Sequence, residues 1–302
     1  MLRWENTGRY HSPRYFWPLL LFIALLGIYG KTHCPGPYGD FDSSALVCSA
    51  ISGDLPHPGG YPLYHILARL ALSFSPYNPA RTLNLLSALF AALTIFILSL
   101  LLQCLIRDGH ISAIAALFLG SATDFWRLSI VAEVYTLNTF FIVSIFYGLI
   151  LWVKHRKNTT LYLVAFLFAL SLGNHATSIF LLPPAFFFLF LSNALPQRRS
   201  FFFCLTLVLL FNTAFYLFYI PSLVNDGDGG PWRAFILPAE AEEPASPSFK
   251  SLWNFCSGKI YREELWSLRN CELGFSNIVA HLSLQFDLLT SVPYSEHSFL
   301  SF

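Results

Sequence analysis

The sequence is poor in charge: Asp, Glu, Lys and Arg make up 12% of its 302 residues, roughly half the share of a soluble domain. So few ions cannot clothe a soluble globular surface. Basic residues gather in no stripe or tail and the formal net charge is +1, which argues against a nucleic-acid partner. Among 6 cysteines and 9 histidines there is no Cys-x-x-Cys or His-x-x-His pair, so a structural zinc site is not expected. No repeat of fixed period runs along the chain, which argues against a solenoid.

What is abundant is apolar and aromatic. Hydrophobic residues make up 55% of the chain, with 31 Phe, 14 Tyr and 7 Trp, a content suited to many residues at lipid-headgroup level. Runs near the length of a membrane-spanning helix fall at about Tyr15–Gly30, Ala80–Ile106, Ile111–Thr123 (with a continuation past Asp124 and Trp126 to Ile130 as the alternative), Tyr135–Val153, Thr160–Leu172, Thr177–Leu191 and Phe201–Ile220. The expected fold is an all-α membrane protein with about seven transmembrane helices, residues 1–220 forming the membrane domain. A first outer loop, Lys31–Pro79, carries two shorter apolar pieces, Ser43–Ile51 and Leu63–Phe74, expected to lie as helices at the interface. Residues 221–302 form a polar outer-side region. No small-x-small cleavage site precedes Lys31, so the first run is expected to stay as an anchor rather than leave as a signal peptide.

Orientation follows from the short loops. With the N-terminus cytoplasmic, nine basic residues lie inside: Arg3, Arg9, Arg14, Arg107, Lys154, Arg156, Lys157, Arg198 and Arg199. Of 17 acidic residues only Glu5 and Asp108 fall inside, which leaves fifteen outside. The chain is therefore expected to be a multi-pass protein of a bacterial inner membrane or the endoplasmic reticulum. Cys34, Cys48, Cys256 and Cys271 fall on the outer side, where an oxidising compartment can pair them in any of three ways.

Chemistry-bearing residues collect on that outer side. Asp40-Phe41-Asp42 places two carboxylates one residue apart; such a pair can act as a general base or hold a divalent cation, which is not required. Pro56-His57-Pro58-Gly59-Gly60-Tyr61-Pro62 combines residues of fixed φ with permissive ones, so it predicts a stiff turn presenting His57. Asp124, Arg127, Glu133 and Tyr135 cluster where the third run meets the fourth, and Gly173-Asn174-His175 lies between the fifth and sixth. Ionisable groups at membrane depth tend to face a partner or a water-filled cavity; Arg127 is a nearby partner for Glu133. Arg69, Arg81 and Arg262 place positive charge outside, against the general trend, where it suits anionic headgroups or a lipid phosphate. Asp226-Gly227-Asp228 lacks the remaining spacing of a calcium loop and reads as a glycine-rich turn.

In order along the chain, Asp42-Ser43, His57-Pro58-Gly59-Gly60-Tyr61-Pro62-Leu63-Tyr64, Arg81, Asn84-Leu85-Leu86-Ser87-Ala88, Glu133-Val134-Tyr135, Gly173-Asn174-His175 and Trp253-x-x-Cys256-x-Gly258-x-x-Tyr261-Arg262 resemble one membrane family. It is the family that includes the eukaryotic transmembrane protein O-mannosyltransferase. The resemblance covers roughly Tyr15 to Arg262 and implies a GT-C-type glycosyltransferase. Such an enzyme takes a sugar (mannose, by the eukaryotic member's name) from a polyprenyl-phosphate carrier in the membrane lipid and passes it to a hydroxyl acceptor on the non-cytoplasmic face. It further implies Asp42 or Asp40 as the catalytic carboxylate. Substrate contacts are then expected from His57, Tyr61, Arg69, Arg81, Glu133, Tyr135, His175 and Arg262. Three features depart from the family's pattern. Ser44-Ala45 stands where the family has Gly-Glu, Gly59 stands where it has a second proline, and relatives continue with further spans. A transporter or flippase, or an inactive partner-binding subunit, are the competing readings; the crowding of polar residues at the outer ends favours catalysis at the interface over transport near the midplane.

Overall fold

The computed structural model describes residues 14–36, 41–53 and 61–224. These residues form α-helices and one 3₁₀ turn, with no strand among them. In chain order the helices are α1 (Phe16–Thr32), α2 (Phe41–Ser52), α3 (Pro62–Phe74), α4 (Pro79–Ile106), α5 (Gly109–Ser121), α6 (Thr123–Ser129), α7 (Tyr135–His155), α8 (Asn158–Asn174), α9 (Leu182–Leu191) and α10 (Arg198–Val224), with the 3₁₀ turn over Ala176–Leu181. Both apolar pieces expected in the first outer loop are helices, α2 and α3.

Three helices are long and apolar enough to cross a membrane: Pro79–Ile106, Tyr135–His155 and Arg198–Phe215. A fourth candidate is the pair α5 and α6, which is bent by 70°. The third apolar run therefore does not continue straight to Ile130. Ala122 ends α5 and, in the same extended conformation, caps α6, so the chain turns one residue before Thr123, the nearer of the two ends the apolar run allows. The other apolar helices, Phe16–Thr32, Asn158–Asn174 and Ala176–Leu191, are shorter.

Local chemistry explains the corners. Asn78 accepts the Arg81 N–H at 2.8 Å and Pro79 opens α4, the usual pairing of an Asn cap with proline at the first helical position. Asp108 caps α5 by accepting from Ile111 N–H at 2.9 Å. Arg107 and Arg156 end α4 and α7 with φ of 62° and 55°, the left-handed position where glycine is usual. A cation there suits the negative end of the helix dipole.

Helix α4 is the hub: α1, α5, α7 and α3 all pack on it, while α8 bridges α7 to α10. Small residues bring the helices together, as packing between apolar helices in lipid requires. A Cβ on Gly148 of α7 would meet Val164 Cγ2 of α8 at 2.5 Å, and one on Gly173 would meet the Phe215 ring of α10 at 2.7 Å. Trp152, Phe141, Leu137, Leu83 and Ala80 are among the buried side chains of the larger core. Leu25, Tyr29, Ala88, Ile95 and Ala116 build a second one between α1, α4 and α5.

Gly148→Ala is expected to destabilise the fold by about 1–3 kcal/mol through overpacking. Adding Val164→Ala should recover part of that loss. Thermal unfolding of the detergent-solubilised single and double variants checks it, and strictly additive losses would refute the close contact.

Candidate functional site

Two ends of the bundle differ. At one, Trp17 of α1 packs on His110 of α5 with ring centroids 4.6 Å apart, Arg14 donates to Tyr147 Oη at 2.9 Å, and Arg156 donates to the Asn193 carbonyl at 3.1 Å. The basic loop residues gather there. At the other end, the motifs singled out in the sequence meet.

That meeting is built around a buried loop, Ile130–Val134, between α6 and α7. Val131, Ala132, Glu133 and Val134 are each no more than 4% exposed, so the peptide groups of the loop need partners inside the protein. They find them on three other elements. The Cys34 N–H donates to the Ile130 carbonyl at 3.0 Å. Ser87 Oγ of α4 accepts from the Glu133 N–H at 3.2 Å and donates to its carbonyl at 3.4 Å. Asn174 Nδ2 at the end of α8 donates to the Val134 carbonyl at 3.2 Å.

Asn84, one turn before Ser87 on α4, is fully buried. Its Nδ2 donates to the carbonyls of Cys34 and Gly36, at 2.8 and 3.2 Å. It thus ties the residues just past α1, Cys34 to Gly36, to α4. Asp42 lies in the first turn of α2 with its side chain exposed, where the helix dipole favours a carboxylate. Ser43 beside it is buried. Asp40, His57 and Arg262 lie outside the described residues.

Tyr61 caps α3 with φ 42° and ψ 53°, a left-handed backbone that is rare for a bulky residue and disfavoured before proline. Its ring stacks on His175, centroids 5.3 Å apart at 22°. Tyr135 lies on the same imidazole at 5.9 Å and 38°. Three separated motifs therefore converge on one ring. His175 also accepts the Thr177 N–H through Nδ1 at 3.3 Å and caps the 3₁₀ turn. Burial holds the imidazole below its ordinary pKa.

Glu133 is 4% exposed, while Arg127 is exposed. Tyr64 of α3 is buried nearby, and burial first, then the Glu133 carboxyl, raise its phenol well above the usual range, with Ser87 acting the other way. Tyr64 therefore remains a neutral phenol. The remaining cations lie apart. Arg69 of α3 reaches the backbone at Gly53, just past the C-terminal end of α2; that is about 16 Å along the helix from Asp42. Arg81 is exposed, its guanidinium 4.2 Å over the Tyr77 ring. Ser87, Asn84, Asn174 and Tyr64 were quoted in the sequence only as parts of motifs. Their burial is what marks them as ties, and a short polar residue inside an apolar helix is the signal that could have found them.

Among the described residues no three His, Cys, Asp or Glu side chains converge on a point that would hold a metal. Among the described residues Cys34, Cys48, Cys104 and Cys204 form no disulfide with one another.

Apolar helices that meet through small residues, with a polar, motif-bearing end, define an α-helical membrane protein. The chain belongs to the family described as "Protein O-mannosyl-transferase TMEM260 N-terminal domain", which matches residues 42–198. It is 30% identical over 141 residues to "Protein O-mannosyl-transferase TMEM260" of Mus musculus, covering 45% of this chain and 20% of that protein. It is 26% identical over 195 residues to "Protein O-mannosyl-transferase tmem260" of Dictyostelium discoideum, covering 58% and 23%. The chain thus matches about a fifth to a quarter of the length of these curated relatives. No solved structure matches it.

Two outcomes are expected. Asn84→Ala removes the donor shared by Cys34 and Gly36 and should cost about 1–3 kcal/mol; an unchanged chemical-denaturation midpoint would refute the tie. Because the folded His175 binds its proton less readily than the unfolded chain, the unfolded state holds more protons as pH drops through the ordinary histidine value of 6.5. Stability should therefore fall from about pH 6.5 downward until the folded imidazole has itself titrated. Comparing melting at pH 7.5 and 5 with the His175→Phe variant isolates the effect, and an identical pH slope in both would count against it.

Proposed function

We propose that the chain forms the membrane portion of a glycosyltransferase that passes a sugar from a polyprenyl-phosphate carrier to a hydroxyl acceptor on the non-cytoplasmic face. Mannose is the sugar the relatives' names suggest. The observation that carries the reading is the convergence of Tyr61, Tyr135 and His175, from three separate family motifs, at the end of the bundle where α2 and α3 pack together.

In this reading residues 1–220 cross the membrane about seven times in a GT-C-like arrangement. The N-terminus is cytoplasmic, 31–79 is the first outer loop and 221–302 lies outside. The shorter apolar helices α1, α8 and α9 with its 3₁₀ turn complete the count; segments of 17 or so residues reach across a bilayer when polar caps trim their ends. The gathering of basic residues at the opposite end supports the orientation.

Asp42 takes the proton of the acceptor hydroxyl as its oxygen attacks the anomeric carbon, with Asp40 as the neighbouring candidate. The bond from that carbon to the carrier phosphate breaks, and the phosphate leaves with the electron pair. The leaving anion needs cationic support, for which Arg81, His57 and Arg262 are the candidates; Arg69, against Gly53, is the less favoured. Tyr61 and Tyr135 line the side the sugar approaches, and Glu133, buried behind them, supports that side rather than meeting the sugar.

Replacing Asp42 by Asn should lower transfer from a labelled polyprenyl-phosphate sugar by about 10²–10⁴-fold, the usual contribution of a general base. The assay uses membranes that express the intact chain or the variant. Full activity in both Asp40→Asn and Asp42→Asn would sink the assignment. A folded chain that transfers nothing from any donor tested would sink the transferase reading.

A further inference from the structure

Two tyrosine rings pack on the imidazole of His175. Tyr61 stacks on it at 5.3 Å and Tyr135 lies against it at 5.9 Å. Its edge is engaged as well: Nδ1 accepts the Thr177 N–H at 3.3 Å, and the Thr177 hydroxyl is 2.7 Å from the same nitrogen. A nitrogen that accepts from a backbone N–H carries a lone pair, so the ring proton sits on Nε2 and the imidazole is neutral. Tyr61, on the other side of the stack, has a backbone that neither its bulk nor the following Pro62 favours. Such a conformation persists only where the surroundings impose it.

We propose that His175 is a neutral ring clamp: it holds Tyr61 in its left-handed conformation, and so fixes the entry to α3, rather than exchanging protons with a substrate. It is a positioning residue. Histidine is the side chain that combines a stacking face with an acceptor at the Nδ1 position; phenylalanine offers the first and asparagine the second. Burial, which disfavours the charged ring, acts in the same direction. The function of the clamp rests on the transferase reading, whereas its structural basis does not.

The experiment uses the full chain in detergent. His175→Phe keeps the ring and loses the acceptor, His175→Asn keeps an acceptor and loses the ring, and Tyr61→Gly removes one partner while relieving the backbone. The thermal midpoint should fall by about 2–6 °C in His175→Asn and by less than half of that in His175→Phe. In a Tyr61→Gly background the Asn substitution should cost much less than in the parent, because only the Tyr135 contact is then left to lose. A His175→Asn chain as stable as the parent beside a destabilised His175→Phe, equal losses in the two, or losses that add to that of Tyr61→Gly would each overturn the clamp.

Sugar transfer supplies a second readout. His175→Phe should retain most of the parent's activity, and His175→Asn should lose on the order of 10²-fold through misplacement. A His175→Phe chain of near-parental midpoint with no transfer would assign chemistry to the imidazole and overturn the proposal. A parent chain without transfer would count against the transferase reading alone, and the midpoints would still decide the clamp.

Discussion

A loop buried in an apolar bundle has to find hydrogen-bond partners for its own peptide groups, because neither water nor lipid will supply them there. Ile130–Val134 is such a loop, and its partners come from the end of α1, the middle of α4 and the end of α8. Each orphaned group would cost about 1–3 kcal/mol. Together these bonds therefore set the positions of three helices relative to the α6–α7 corner. The polar end of the bundle follows from them. Ser87 and Asn174 are pinned by their bonds to the loop, Tyr135 begins α7 directly after it, and His175 follows Asn174. The aromatic contact between Tyr135 and His175 is thus a consequence of satisfying the loop.

Asn84 extends the same logic to the first connection of the chain. It serves the carbonyls of Cys34 and Gly36, while the Cys34 N–H serves the loop. One residue of the α1–α2 connection is held from both sides, by α4 and by the buried loop. Residues 34–36 and the start of α7 are therefore tied to the same buried loop.

The helices were legible in the sequence because apolar length is a direct physical requirement. The boundaries of α2, α3, α4 and α7 fell within a few residues of the runs that predicted them. The bend at Ala122 was legible only as an end of the apolar run near Thr123; Gly120-Ser121-Ala122 contains no proline to show that the chain turns there by 70°. The roles of Ser87 and Asn174 were hidden for a different reason. A serine or asparagine in an apolar helix looks the same whether it bonds its own turn or a loop forty residues away. Tyr61 was misleading in another way, since Gly59 and Gly60 are the residues a reader expects to take unusual backbone angles. That a tyrosine does so depends on a ring 114 positions later (175 − 61), which no local pattern can reveal. Arg69 was grouped with the other outer cations by charge sign, and only the fold separates it, against Gly53.

The two ends of the bundle solve separate problems with separate residues. At the basic end, Arg107 and Arg156 occupy left-handed caps where glycine would be less strained by about 1 kcal/mol. Their charge complements the helix C-termini and, in the proposed topology, biases the short loops toward the cytoplasm. At the polar end the side chains bond inward, to peptide groups and to one another, and contribute little to orientation. In the proposed topology and site, orientation and chemistry thus fall on different residues at opposite ends of the bundle. Free energies of such distant positions are close to additive, so the site end can change its chemistry while the basic end keeps the chain the same way round.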